Sequence, residues 1–296
     1  MISDFARFST QPLLVVLREE AKDAGSLRRA AKDPQEATLY RADIAATNDA
    51  LREAVKTWHL SKEVQFITVE QEKTYYNDKK ASHTILSFGS TFTAPALMLT
   101  VQGKPDKLSF GNSLYSLSPD ASPDDPQSRI AAATYFMPNP HHYWSQAYST
   151  SDMISALQQL QLFVDARIHQ QKKKDLEATE LKRINHSNAI LTKKTLLLDR
   201  SRLAPNLPET KISSLYPYPV QVVDRATIEA AVASADPQYL YARCITVYKN
   251  HGYQLVEAAT GQVVAYAEYN LMRDIALGEI QDWTLKDFVK TATAKK

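Results

Sequence analysis

His141 and His142 are the residues whose type and adjacency first suggest metal chemistry. A zinc site takes three or four ligands drawn from His, Cys, Asp and Glu. The chain has no His-Glu-x-x-His, no cysteine pair and no His-x-His. Adjacent residues on a strand also point to opposite faces, so the pair reads as part of a polar loop beside Tyr143 and Trp144. His169 and His186 are 17 residues apart. On one helix they would stand about 25 Å apart, too far to share an ion, and they read as exposed polar positions. The single cysteine, Cys244, lies in Tyr-Leu-Tyr-Ala-Arg-Cys-Ile-Thr-Val, residues 239–247. It excludes an intramolecular disulfide and reads as a small buried hydrophobe.

Other chemistries find as little support. No Gly-x-Ser-x-Gly elbow activates any of the serines. Glu19-Glu20 and Asp124-Asp125 sit in polar stretches, whereas acid–base work needs a carboxyl perturbed by burial or a neighbour. Phosphate-cradling loops need clustered glycines; the chain has 7 glycines and neither common nucleotide-binding pattern. Lys172-Lys173-Lys174 with Lys182-Arg183 is interleaved with Asp175, Glu177 and Glu180, a salt-bridged solvated face rather than a phosphate track. No catalytic residue, metal ligand or cofactor is therefore assigned, and the chain reads as non-enzymatic.

The aromatic residues are the better signal. There are 15 tyrosines, and Tyr75-Tyr76, Tyr135-Phe136, Tyr143-Trp144, Tyr216 and Tyr218 lie in or beside proline-rich or polar segments. Such side chains either anchor partners, because they bury a large area and keep a polar tip, or lid the sheet edges. The expected contact region is Tyr135, Phe136, His141, His142, Tyr143 and Trp144, facing a protein partner. Nucleic acid is not expected: Lys+Arg of 35 against Asp+Glu of 33 leaves a net charge of +2, without the basic excess of a nucleic-acid face. No apolar run approaches the roughly 20 residues of a membrane span. The first residues show no basic region followed by an apolar core, so the chain is expected either in the cytoplasm or, after removal of a leader, in the periplasm or medium.

The elements that would position these residues follow from periodicity. Leu13–Leu17 is a short apolar run after Pro12, a buried strand. Asp33 and Pro34 open a helix, and Tyr40, Ile44, Leu51, Val55 and Trp58 line one of its faces. Residues 64–69, 84–88 and 96–101 read as strands, with Leu108-Ser109-Phe110 continuing the last hairpin. Residues 116–128 hold three prolines among Asp and Ser, a loop or linker. An apolar stripe through Ile154, Leu157, Val164 and Ile168, resumed at Leu176, Leu181 and Ile184, predicts a long helix over 151–186. Beyond it come strands at 195–199, 220–224, 240–247, 253–257 and 262–267, a short helix at 225–234 and a closing helix around Trp283, Phe288 and Val289. Gly261 occupies the hairpin position that needs a positive φ.

Both halves run strand, connection, a strand opening Val-Gln, a short helical or polar segment, then antiparallel strands. This predicts an α+β fold with two related α/β sandwich domains, each a mixed sheet covered by helices, joined by a long helix. The expected boundaries are 10–115 for the first domain, 116–150 for a Pro/aromatic-rich loop region, 151–188 for the bridging helix and 190–292 for the second domain.

The run from Lys194-Thr195-Leu196-Leu197-Leu198-Asp199, through Tyr216-Pro217-Tyr218-Pro219-Val220-Gln221-Val222-Val223, to Asp236-Pro237-Gln238-Tyr239 and Ala259-Thr260-Gly261-Gln262-Val263-Val264-Ala265-Tyr266 resembles bacterial secreted and envelope proteins. Their domains are similar to the amino-terminal domain of the translocation protein TolB and to the curli-secretion lipoprotein family. The resemblance covers roughly residues 190–290 and more faintly 10–110. It implies a first strand, a strand of φ-x-Val-Val type, a helix, a further strand and a closing Thr-Gly-x-Val hairpin. It also implies a non-catalytic binding or assembly module of the envelope, and it carries over no catalytic residue. Two alternatives stand beside it: an enzyme whose site is assembled from dispersed residues, and a structural protein that self-associates through exposed strand edges.

Overall fold

The computed structural model describes residues 6–20, 34–77, 84–91, 94–101, 131–136, 148–169, 184, 187–247, 250–267 and 279–293. The chain is α+β and divides into two compact units, the first over most of residues 1–170 and the second over most of 171–296. Among the described residues each unit holds one five-stranded sheet.

The first sheet contains β1 (Leu13–Val16), β2 (Val64–Ile67), β3 (Thr84–Thr91), β4 (Ala94–Val101) and β5 (Ala131–Phe136), in the order β2-β1-β3-β4-β5. Leu13, Leu14, Val15 and Val16 are all buried, as a continuous apolar run in a parallel sheet should be. β1 runs parallel to both β2 and β3, and Leu13 faces Val64 on one side and Thr84 on the other. Helix α1 (Pro34–Val55) joins β1 to β2. Proline suits its first position, where the N–H has no helical partner, and Ile44, Leu51 and Val55 of the expected face are buried, with Trp58 just beyond.

The strand expected over 64–69 ends at Ile67, because Thr68 starts a helix instead. The Gln71 N–H donates to Thr68 Oγ1 (3.1 Å) and the Thr68 N–H donates to Gln71 Oε1 (2.8 Å), a reciprocal cap. Helix α2 (Val69–Asn77) follows. Its Val69 and Tyr75 pack on Leu14, Val16, Ile67 and Ile85, on one face of the sheet. A second correction concerns the loop region expected over 116–150: residues 131–136 within it form β5. Three consecutive alanines with weak strand preference, between proline-rich stretches, hid that strand. Helix α3 (Thr150–Ile168) packs against α1. It begins one residue before the expected 151; the continuation expected over 170–183 lies outside the described residues, as do Leu108-Ser109-Phe110 and most of 116–150.

In the second unit the short helix α4 (Asn188–Leu191) precedes the sheet. Its sheet contains β6 (Thr195–Asp199), β7 (Val220–Val223), β8 (Tyr239–Val247), β9 (Asn250–Glu257) and β10 (Val263–Ala267), in the order β10-β9-β8-β6-β7. β6 is parallel to β7 and β8, while β8–β9 and β9–β10 are antiparallel. Helix α5 (Glu209–Leu215) connects β6 to β7, α6 (Arg225–Ala233) connects β7 to β8, and α7 (Asp282–Ala292) closes the unit. From β6 the path steps one way to β7, then back across β6 to β8. Right-handed crossovers in opposite directions put α5 and α6 on opposite faces. The core agrees: Leu196, Leu198 and Leu240 cluster with Ile212 and Tyr216 around α5 and with Leu285 and Phe288 of α7. Cys244 is a buried member of the same cluster, as expected.

Turn chemistry sets the connections. Gly261 has φ 70°, the positive value expected of the β9–β10 turn. Ala235, just past α6, also has positive φ (50°). There the Asp236 N–H donates to Ala231 O (2.9 Å) and the Ala235 N–H to Val232 O (3.1 Å), the paired bonds of a Schellman ending with alanine in the place glycine usually takes.

Numbered within each unit, both sheets read second-first-third-fourth-fifth. The registers also agree to the residue: Leu196 faces Val220 and Leu240 as Leu13 faces Val64 and Thr84. In both units one residue, Thr68 or Asp224, separates the second strand from a nine-residue helix. In both, the helix after the first strand packs against the helix after the fifth: α1 on α3, and α5 on α7.

Candidate functional site

In open sheets containing parallel strands, the crevice at the carboxyl ends of the first and third strands is where the chain departs in opposite directions and where ligands commonly bind. In the second unit Asp199 ends β6 at this point. Its carboxylate is buried although it follows three apolar leucines. Oδ1 accepts from the Ser201 N–H (2.9 Å) and the Ser201 hydroxyl (2.6 Å), capping the 3-10 turn Arg200–Arg202. Oδ2 lies 3.9 Å from an Arg225 guanidinium nitrogen. Arg225 starts α6, and its Nε also donates to Glu229 Oε1 (2.9 Å) one turn on.

Arg243 is buried on β8. The β6–β8 register, two residues beyond Leu197 and Tyr241, sets it beside Asp199, and it pairs with Gln254 on β9, which in turn pairs with Tyr266 on β10. The polar side chains therefore form a transverse row, Asp199, Arg243, Gln254 and Tyr266, on the α6 face of the sheet. At the rim Arg200 forms an ion pair with Glu209, approaches Asp224 at 3.8 Å and donates from Nη2 to Val222 O at 3.3 Å.

The arrangement balances charge. Arg200, Arg225 and Arg243 stand among Asp199, Glu209, Asp224 and Glu229, three cations with four carboxylates. A site without cationic excess does not concentrate anions. These contacts instead tie the end of β6 to the start of α6 and to α5. At the matching positions of the first unit stand Val16, Val69 and Ser87. A separate ion pair, Lys194 Nζ to Glu257 Oε1 (2.9 Å), joins the start of β6 to the end of β9, and Thr260 Oγ1 donates to Glu257 Oε2 (2.7 Å).

Of the residues expected to meet a partner, Tyr135 and Phe136 end β5, the strand at one edge of the first sheet. His141, His142, Tyr143 and Trp144 lie outside the described residues, as do His186 and Lys172-Lys173-Lys174. His169 is exposed just past α3, with Nδ1 2.8 Å from Asp165 O. Tyr216 is a core residue rather than a surface anchor. It is fully buried, meets Tyr218 edge-on at 5.3 Å and 77°, and burial pushes its hydroxyl pKa up. The Tyr218 hydroxyl donates to Asn188 Oδ1 at 2.6 Å. Tyr148, before α3, is buried and its pKa is likewise raised, mainly by burial, with Arg18 opposing.

No sequence motif singles out Asp199, Arg225 and Arg243 together. Two of them carried a signal: a carboxylate directly after Leu196-Leu197-Leu198, and one arginine within the apolar strand 239–247. Among the described residues no three His, Cys, Asp or Glu side chains are grouped to hold a metal ion, and no helix is long and apolar enough to cross a membrane. Compared with family models, curated proteins and solved structures, the chain matches none.

Proposed function

We propose that the chain is a binding or assembly protein of the bacterial cell envelope, built from two copies of one α+β unit and acting without catalysis on a protein partner. The observation that carries the reading is the agreement between the two sheets. Strand order, ladder register, the one-residue step into a nine-residue helix and the packing of flanking helices all recur. Chance convergence on one such feature is unremarkable, but their coincidence at the same ladder positions supports duplication. The second unit also follows the order that the TolB-like resemblance implies: β6, the Val-Gln-Val-Val strand β7, helix α6, strand β8 and a β9–β10 hairpin through Thr260-Gly261-Gln262-Val263.

Fractionation of source cells, sequencing of the mature amino terminus and crosslinking in place test the reading. A processed protein in the periplasm or medium, crosslinked to a reproducible neighbour, is the expected result. An unprocessed cytoplasmic protein would overturn the envelope assignment. Replacing His141, His142, Tyr143 and Trp144 by alanine should weaken capture of that neighbour; unchanged capture removes this segment from the interface. A saturable turnover in a substrate screen would overturn the non-catalytic part.

A further inference from the structure

We infer that β2 is a self-pairing edge, which joins two copies of this chain antiparallel about a two-fold axis through Gln65. This holds whether or not the envelope reading does. Among the described residues β2 ends its sheet and pairs with β1 alone. The Leu13 N–H donates to Glu63 O (2.9 Å) and the Leu17 N–H to Ile67 O (3.0 Å). Backbone groups alternate sides along a strand, so those of Val64 and Phe66 point away from β1. Among the described residues no hydrogen bond reaches them there. Phe66 is 43% exposed, an apolar side chain on an open edge that carries neither proline nor bulge. Natural edges are usually blunted by such devices.

The matching edge of the second unit is blunted. Val222 on β7 holds the ladder position of Phe66, and its outward carbonyl accepts from Arg200 Nη2. Pro219 directly precedes the strand. One of two equivalent edges is guarded and the other is left open.

The occupant is a second copy because the open edge is complementary to itself. With the axis at Gln65, Val64 of each strand opposes Phe66 of the other. The outward N–H and C=O groups of both residues then meet, giving four backbone hydrogen bonds. Phe66 lies across from the partner's Val64, an aromatic and β-branched pair of the kind that stabilises antiparallel ladders, and the exposed Gln65 amides face one another. Glu63 falls opposite Ile67 and Lys62 opposite Thr68, so no like charges are directly opposed. The contact is isologous and closes at two copies, and a four-residue ladder makes it weak and concentration-dependent.

Sedimentation equilibrium of the full chain over a concentration series tests this. The wild-type chain should shift from monomer towards twice the mass as concentration rises. Phe66→Lys places a charge on the edge, and Val64→Pro removes an outward N–H that the fold does not use. Both should stay monomeric with unchanged circular dichroism, while Val222→Lys on the guarded edge should associate like wild type. A wild-type chain that is monomeric throughout, or association that survives both β2 variants, overturns the inference. Assembly beyond two copies would do the same, because this pairing closes.

Discussion

Replacing Tyr216 by phenylalanine tests how the second core is held, at neutral and at alkaline pH. The ring is fully buried among Leu196, Leu198, Ile212 and Phe288, and its hydroxyl has no hydrogen-bond partner among the described residues. A buried hydroxyl left unpaired costs about 1–3 kcal/mol, and phenylalanine keeps the ring and its edge contact with Tyr218. Tyr216→Phe should therefore leave stability unchanged or raise it by about 1–2 kcal/mol at pH 7, roughly 2–4 °C per kcal/mol for a chain of this size. The alkaline limb carries a second test. Burial raises the pKa of the folded-state hydroxyl above its unfolded value of about 10. The folded chain then holds a proton that the unfolded chain has released, so stability is intact below pH 10 and falls as pH rises beyond it. The slope is about 1.4 kcal/mol per pH unit for this one group. Tyr148 contributes a limb of the same sign in the first unit. Calorimetry from pH 7 to pH 11 reads both effects, and the variant should lose the alkaline slope of the second unit's transition alone. Destabilisation beyond about 1 kcal/mol at pH 7, or an unchanged alkaline slope, would refute the account of a dry, unpaired hydroxyl.

Substitutions at three further positions probe the turns and the Asp199 cluster. Ala235→Gly removes a Cβ from a left-handed residue, where it costs about 1–2 kcal/mol. After the added freedom of the unfolded chain, a net gain of about 0.5–1 kcal/mol is expected in urea melts, and a loss would deny the Schellman strain. Gly261→Ala is the converse at φ 70° and should lose about 1 kcal/mol or more by the same measurement. Asp199→Ala orphans the Ser201 N–H and hydroxyl and leaves Arg225 a carboxylate short. It should cost about 1–3 kcal/mol, whereas Asp199→Asn keeps an acceptor at Oδ1 and should cost less; equal losses would assign the stabilisation to charge alone.

The strands and helices were legible where one physical signal dominated. Leu13–Val16 and Leu196–Leu198 are apolar runs with nowhere to go but the middle of a sheet, and Gly261 marked its own turn. The start of α1 followed from Pro34. What escaped depended on competition between signals. Val69 continues the β-branched pattern of β2, but the reciprocal bonds of Thr68 and Gln71 commit it to helix. β5 has only Thr134, Tyr135 and Phe136 to speak for it, after three alanines, and its place is fixed by β4. The candidate site was harder still, because Asp199, Arg225 and Arg243 come together only through the crossover that carries α6 from β7 back over β6.

That crossover also explains how two units can share a register while differing in chemistry. The ladder constrains which positions face the α2 or α6 side, but not whether burial there is apolar or ionic. At the strand end Val16 stands where the second unit has Asp199, and at the helix start Val69 stands where it has Arg225. One turn into the helix the choice reverses: Glu72 is buried in α2, and the matching residue of α6 is the buried Ile228. Each unit thus buries a carboxylate, carried by the helix as Glu72 in one and by the strand as Asp199 in the other. Exchanging only one member of such a set leaves a buried charge without its partner, a loss of about 3–5 kcal/mol. Under the proposed duplication, Asp199 and Arg225 of the second unit and their counterparts Val16 and Val69 of the first had to change together.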